Sequence, residues 1–287
     1  MNVLVYHIVS GQAWFTGIGM ILIAIGSSLS KRRALTRFAD FGMIVGILLA
    51  VISSTPIAWW LALVLLVATT AWIIARCFDR HLRVTSAVAA CAWLVAAALE
   101  IPFHLTPALV PVASRSLTVI GDSVTAGIDG DERSDRWPTL LASQHDLAVH
   151  DIAHMGETAS SARKRIESLR IDSPVVLLEI GGNDILGSTS PRQFATDLED
   201  LLRAVAAPDR QLIMFELPLP PFSHEYGRIQ RALAREYRVA LVPKRVFLSV
   251  LAGSASTLDS VHLSQAGHLE MANTVWNLIE SAFPTPE

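Results

Sequence analysis

The sequence predicts a two-part chain: an all-α transmembrane bundle of four spans, followed by an α/β domain built on a parallel sheet. Three observations carry that expectation. Four apolar stretches of near-membrane length fill residues 13–103, and short apolar runs alternate with amphipathic ones from residue 115 onward. The charge balance also reverses, with seven Lys/Arg against three Asp/Glu before residue 111 and sixteen against twenty-three after it. Hydrophobic residues make up 52% of the 287 and charged ones only 17%, too apolar for one soluble domain.

The apolar stretches run over 13–30, 38–54, 57–77 and 84–103. Each approaches the ~20 residues with which a helix crosses a hydrocarbon core. A buried soluble helix would keep a polar face at helical spacing, and "IAWWLALVLLVATTAWIIA" has none. Met1 to Ser30 holds no Lys or Arg, so it lacks the positive start of a signal peptide and reads as an uncleaved first span. The last stretch, "VTSAVAACAWLVAAAL", is rich in the small residues that let helices approach closely in lipid. Glu100, near its outer end, reads as an interfacial carboxylate snorkelling toward water.

Lys31, Arg32, Arg33 and Arg37 fill the first loop and Arg76, Arg80 and Arg83 the third, whereas the second, "SSTP", has no basic residue. By the positive-inside rule, loops one and three face the cytoplasm. The expectation is therefore an integral protein of the cytoplasmic membrane, with its N-terminus and everything after about residue 104 extracytoplasmic. Residues 1–103 form the four-span region and 104–114, "HLTPALVPVAS", a short linker with two prolines. Residues 115–287 form the α/β domain.

Within that domain "SLTVIG", "LAVHDIA", "PVVLLEIG", "QLIMFEL" and "VALVP" read as strands. Amphipathic stretches lie between them, and "SQAGHLEMANTVWNLIESAF" closes the chain as a helix. Strand–helix alternation implies parallel strands with helices on both faces. In such sheets chemistry collects beyond the carboxyl ends of the strands. Four polar clusters fall at that edge: "GDS", "AHMGETAS", "GGND" and "DSVHLS".

The acidic second part excludes a nucleic-acid footprint, which needs a basic face. Both cysteines, Cys77 and Cys91, lie in the apolar part, leaving the α/β domain without a thiol nucleophile or a cysteine-ligated zinc. His145, His150 and His154 are spaced by five and four, but no carboxylate pattern accompanies them. No metal and no cofactor is expected.

The four clusters do hold a full inventory for acyl transfer. Ser123, on a tight turn after a buried strand, is the candidate nucleophile. His262 is the candidate base, and Asp259, three residues earlier, can fold back onto its imidazole. Gly156 can offer a backbone N–H and Asn183 a side-chain amide to a developing oxyanion. Asp122 and Asp184 flank the site and read as turn-tying carboxylates.

The lipase-type elbow G-x-S-x-G does not fit, because Thr125 occupies its second glycine position. The blocks "IGDSVTAG", "MGETAS", "LEIGGNDIL" and "DSVHLSQAGH" instead resemble the SGNH, or GDSL, hydrolase family over residues 115–285. "VVLLEIGGNDILGSTSPRQFATDLEDLL" and "ELPLPP" look most similar to its bacterial thioesterase/lysophospholipase branch. The resemblance implies a flavodoxin-like three-layer fold with five parallel strands. It also implies an esterase or acylhydrolase with Ser123, Asp259 and His262 as triad, and Ser123, Gly156 and Asn183 as oxyanion donors. The expected substrate is an ester: a lipid, an acylated glycan or a small ester. An O-acyltransferase acting on an envelope glycan and a non-catalytic envelope-binding module are the alternatives, and the oligomeric state stays open.

Overall fold

The protein is described from a computed structural model covering residues 1–30, 32–78, 80–127, 135–253, 256, 257 and 262–283. The chain divides into two compact units. One comprises Val3–His104 with Leu219–His224; the other comprises Met1–Asn2, Leu105–Pro218 and Glu225–Glu287.

The helical unit contains α1 (Val3–Val9), α2 (Gln12–Ser28), α3 (Arg33–Ile52), α4 (Trp59–Phe78) and α5 (Leu82–Glu100). Three helices, Ala34–Ile52, Trp59–Phe78 and Leu82–His104, are long and apolar enough to cross a membrane. The first expected span, 13–30, falls on α2, which is long and apolar enough only when joined to α1, met at 87°. Gly11 makes the break with φ +83°, a left-handed conformation that glycine adopts without strain.

Inside this unit, small residues decide the packing. A Cβ on Gly17 would lie 2.6 Å from the Gly46 carbonyl, and one on Gly46 would lie 2.8 Å from the Gly17 carbonyl, so α2 and α3 cross backbone to backbone. Two indole hydrogen bonds tie α4 to α5: Trp72 Nε1 donates to Ser86 Oγ (3.2 Å) and Trp93 Nε1 to Thr69 Oγ1 (3.0 Å). Glu100 departs from the interfacial reading. Its side chain is only 4% exposed and lies 3.6 Å from His104 Nε2, because α5 turns this position inward rather than toward water. Leu219–His224 joins the unit where α3 ends: Leu219 N–H donates to Ser54 Oγ (3.0 Å) and His224 Nε2 lies 2.7 Å from the Ser53 carbonyl oxygen.

The α/β unit runs β1 (Ser116–Gly121), α6 (Ser123–Ala126), α7 (Trp137–His145), β2 (Ala148–Asp151), α8 (Ala159–Arg165), β3 (Val175–Glu179), α9 (Gly182–Leu186) and α10 (Pro191–Val205). It continues with β4 (Gln211–Phe215), α11 (His224–Glu236), β5 (Ala240–Val242), α12 (Lys244–Ala252) and α13 (Gln265–Ile279). All neighbouring strands are parallel, in the order β2-β1-β3-β4-β5. This is the flavodoxin-like order, whose topological switch point lies between β1 and β3.

The central strands are apolar nearly throughout because helices cover both faces. Leu117, Val119, Val175, Leu177, Ile213 and Phe215 face a core shared with Trp137 and Leu141 of α7 and Met271 and Val275 of α13. On the same unit α8 packs against α10. The segment read as a linker contributes to this unit: Leu109 lies in the core, and Val112 N–H donates to the Ala282 carbonyl (2.9 Å).

Candidate active site

Ser123 sits at the switch point, on the first residue of α6 immediately beyond β1. The turn is built by its neighbours. A Cβ on Gly121 would lie 2.5 Å from Thr125 Oγ1, so only glycine lets the strand close onto the helix here. Asp122 caps α6, its Oδ1 accepting from the Val124 N–H at 2.9 Å. Ser123 itself is 9% exposed.

The turn after β3 stands beside it. Gly181, with φ +107°, sends the chain into α9 in a conformation that a side chain would resist. Asn183 then reaches back, its Nδ2 donating to Asp122 Oδ2 (3.2 Å) and to the Glu157 carbonyl (3.0 Å). The amide thus links all three loops beyond β1, β2 and β3. Gly156 lies on the second of these with φ +72° and no atom within 4 Å of where a Cβ would stand.

Asp184 is fully buried, and its Oδ2 accepts from the Ala159 N–H (3.0 Å) at the start of α8. Both flanking aspartates therefore tie down backbone N–H groups, as read from the sequence. Burial raises the Asp184 carboxyl above the usual carboxylate range, with the Ala159 N–H opposing it. Asp122 is raised too, first by burial and also by Asp184, against the Val124 N–H, Glu179 and the charge of His262.

That influence on Asp122 brings His262 into electrostatic range of the Ser123 turn. His262 is half-buried, beside Leu263, which lies in the core and bridges to Thr257. Asp259 lies outside the described residues. His268, one turn into α13, is buried and its Nδ1 accepts from the Trp137 N–H at 3.4 Å, which gives it a structural task at the start of α7. His150 and His154 are exposed, and among the described residues no cluster of His, Cys, Asp or Glu could hold a metal. Arg165 Nε pairs with the buried Glu157 carboxylate at 2.5 Å.

Sequence reasoning missed Glu179. This last residue of β3 is buried, and its Oε2 accepts from Thr125 Oγ1 (3.0 Å) and from the Asp122 N–H (3.3 Å). The available signal was a carboxylate closing an otherwise apolar strand, "VVLLE".

With this geometry in place, comparison with known proteins decides the family. The family model for GDSL-like lipases and acylhydrolases matches residues 119–269, more than half of the chain. The chain belongs to that family.

Esterase TesA from Pseudomonas aeruginosa is 26% identical over 178 residues, covering 57% of this chain and 87% of that protein. Thioesterase 1/protease 1/lysophospholipase L1 from Escherichia coli K12 is 29% identical over 140 residues, or 46% and 67% of the two chains. The crystal structure of psychrotrophic esterase EstA from Pseudoalteromonas sp. superposes with a TM-score of 0.51 at 21% identity, covering 58% of this chain and 97% of that one. Most of the matched residues 119–269 lie in the α/β unit, whose five-stranded parallel sheet is the fold that the sequence motifs implied. The GDSL domain is accordingly a serine ester hydrolase.

Proposed function

We propose that the GDSL domain is a membrane-anchored, extracytoplasmic acylhydrolase that cleaves carboxylic esters through a Ser123–His262–Asp259 triad. In this reading Ser123 Oγ attacks the ester carbonyl while His262 takes its proton, and Asp259 holds the imidazole in the correct tautomer. The Ser123 and Gly156 N–H groups and the Asn183 amide receive the oxyanion. As charge develops, one Nδ2–H of Asn183 turns from Asp122 or the Glu157 carbonyl toward the substrate, a tightening that ligand-free sites commonly leave to the transition state. Water then releases the acyl group by the same route.

The observation that carries the reading is the contact of Asn183 Nδ2 with Asp122 Oδ2 at 3.2 Å, which sets the oxyanion candidate against the nucleophile's turn. Anchoring rests on three helices able to cross a membrane, and sidedness on the Lys/Arg placement in loops one and three. The ester names of the relatives, an esterase and a thioesterase/lysophospholipase, support acyl esters as the substrate class.

The test is steady-state hydrolysis of p-nitrophenyl esters by the full chain in detergent. Ser123→Ala is expected to abolish turnover with unchanged folding. Asn183→Ala is expected to keep KM and lose ~10²–10³ in kcat, as removal of one oxyanion donor does. A Ser123→Ala enzyme with wild-type turnover would reject the proposal.

A further inference from the structure

Two buried carboxyls stand directly beneath the nucleophile's turn, and the triad chemistry uses neither. Asp122 is 4% exposed and Glu179 6%. Glu179 Oε2 accepts from Thr125 Oγ1 (3.0 Å) and the Asp122 N–H (3.3 Å), which sets the two carboxyls side by side. Both oxygens of Asp122 already take N–H donors, Oδ1 from Val124 and Oδ2 from Asn183.

We propose that Glu179 is a positioning residue for the hydrolysis proposed above, fixing the Ser123 turn and the Asn183 amide in one geometry through Asp122. The inference rests on that functional reading.

The proton inventory follows from the donors. Two buried carboxyls placed side by side in a protein do not both stay ionised, so the pair holds one proton. Asp122 is the better anion, because both its oxygens receive N–H groups. Glu179 therefore bears the proton, and its Oε2 accepts from Thr125 Oγ1 and the Asp122 N–H. Burial and the Asp122 charge both push the Glu179 carboxyl well above its ordinary value, in agreement with that assignment. Asp184, the other acid acting on Asp122, pushes the same way as burial.

One carboxyl thus touches the nucleophile's helix through Thr125, its cap through the Asp122 N–H, and the oxyanion candidate through the Asp122 carboxylate. When Glu179 loses its proton at alkaline pH, two like charges face each other under the turn. The turn and the amide then separate, and misplacement of reacting groups by about 1 Å costs ~10²-fold in rate.

The experiment measures kcat, KM and the rate of Ser123 labelling by a fluorophosphonate across pH, in the full chain in nanodiscs. Glu179→Gln reproduces the protonated carboxyl, with a carbonyl oxygen to accept and an N–H to donate. It is expected to retain kcat within about threefold near neutrality and to lack the alkaline decline of the wild type, both in turnover and in labelling. Glu179→Leu is expected to bind substrate with similar KM and to lose ~10²-fold in kcat. Superimposable pH profiles for wild type and Glu179→Gln would overturn the proposal, as would wild-type kcat in Glu179→Leu. Should Glu179→Leu not fold, the Glu179→Gln profile still decides. An active Ser123→Ala enzyme would instead sink the functional reading, and the two failures are therefore distinguishable.

Discussion

The two units differ in which large apolar residues they leave outside. In the α/β unit the large side chains are inside: Leu117, Leu177, Phe194 and Trp137 are all fully buried. In the helical unit Phe41, Ile44, Leu63 and Leu66 are each more than 60% exposed, while Ala13, Ala24, Ala39 and Ala96 are at or near zero. The difference teaches what each interior is made against. Water drives large apolar groups into the sheet's core, whereas a bundle set in lipid would leave a leucine outward at no cost and gain from close backbone approach. Polar groups follow the same division. Two indole N–H groups of the helical unit, those of Trp72 and Trp93, make single interhelical bonds, while the GDSL domain concentrates carboxyls and amides at one end of the sheet.

If the helical unit is a membrane anchor, its loops are sealed from one another, and this gives the largest expected effect. Single cysteines at Thr36, in the first turn of α3 next to loop one, and at the exposed Ser188 of the GDSL domain are compared in a background lacking Cys77 and Cys91. In intact spheroplasts an impermeant maleimide is expected to label Ser188→Cys and to spare Thr36→Cys until the membrane is permeabilised. The reverse pattern would place the catalytic domain in the cytoplasm.

A smaller effect sharpens the contrast between interiors. Leu177→Ala, at a fully buried central-strand position, is expected to cost about 2–5 kcal/mol of GDSL-domain stability. Trp93→Phe, which deletes the bond to Thr69, is expected to cost only about 0.6 kcal/mol in the helical unit. Chemical denaturation of both variants in detergent measures the two, and equal costs would erase the distinction drawn above.

Legibility in the sequence followed the same division. β1 and β3 were readable because buried parallel strands are unbroken apolar runs, and their polar ends marked the site. The candidate nucleophile and oxyanion residues stood out because each lies on a loop just beyond a strand. Short-range turns were less visible: α12 begins on Lys244 and Arg245 directly after Pro243, so its apolar face is hidden behind a polar start. The 87° break between α1 and α2 turns on Gly11, and spacing alone does not tell a break from a smooth helix. Glu100 and Glu179 were missed as buried groups for one reason. Where a carboxylate points depends on neighbours far along the chain, such as Thr125 for Glu179, 54 residues away.

The most direct test of the account is covalent. Full-length protein is treated with a fluorophosphonate, digested, and the adduct located by mass spectrometry. Phosphonylation on the peptide containing Ser123, absent from the Ser123→Ala variant and slowed in Asn183→Ala, is the result the account predicts. A stoichiometric adduct on any other residue, with Ser123 unmodified, would contradict it.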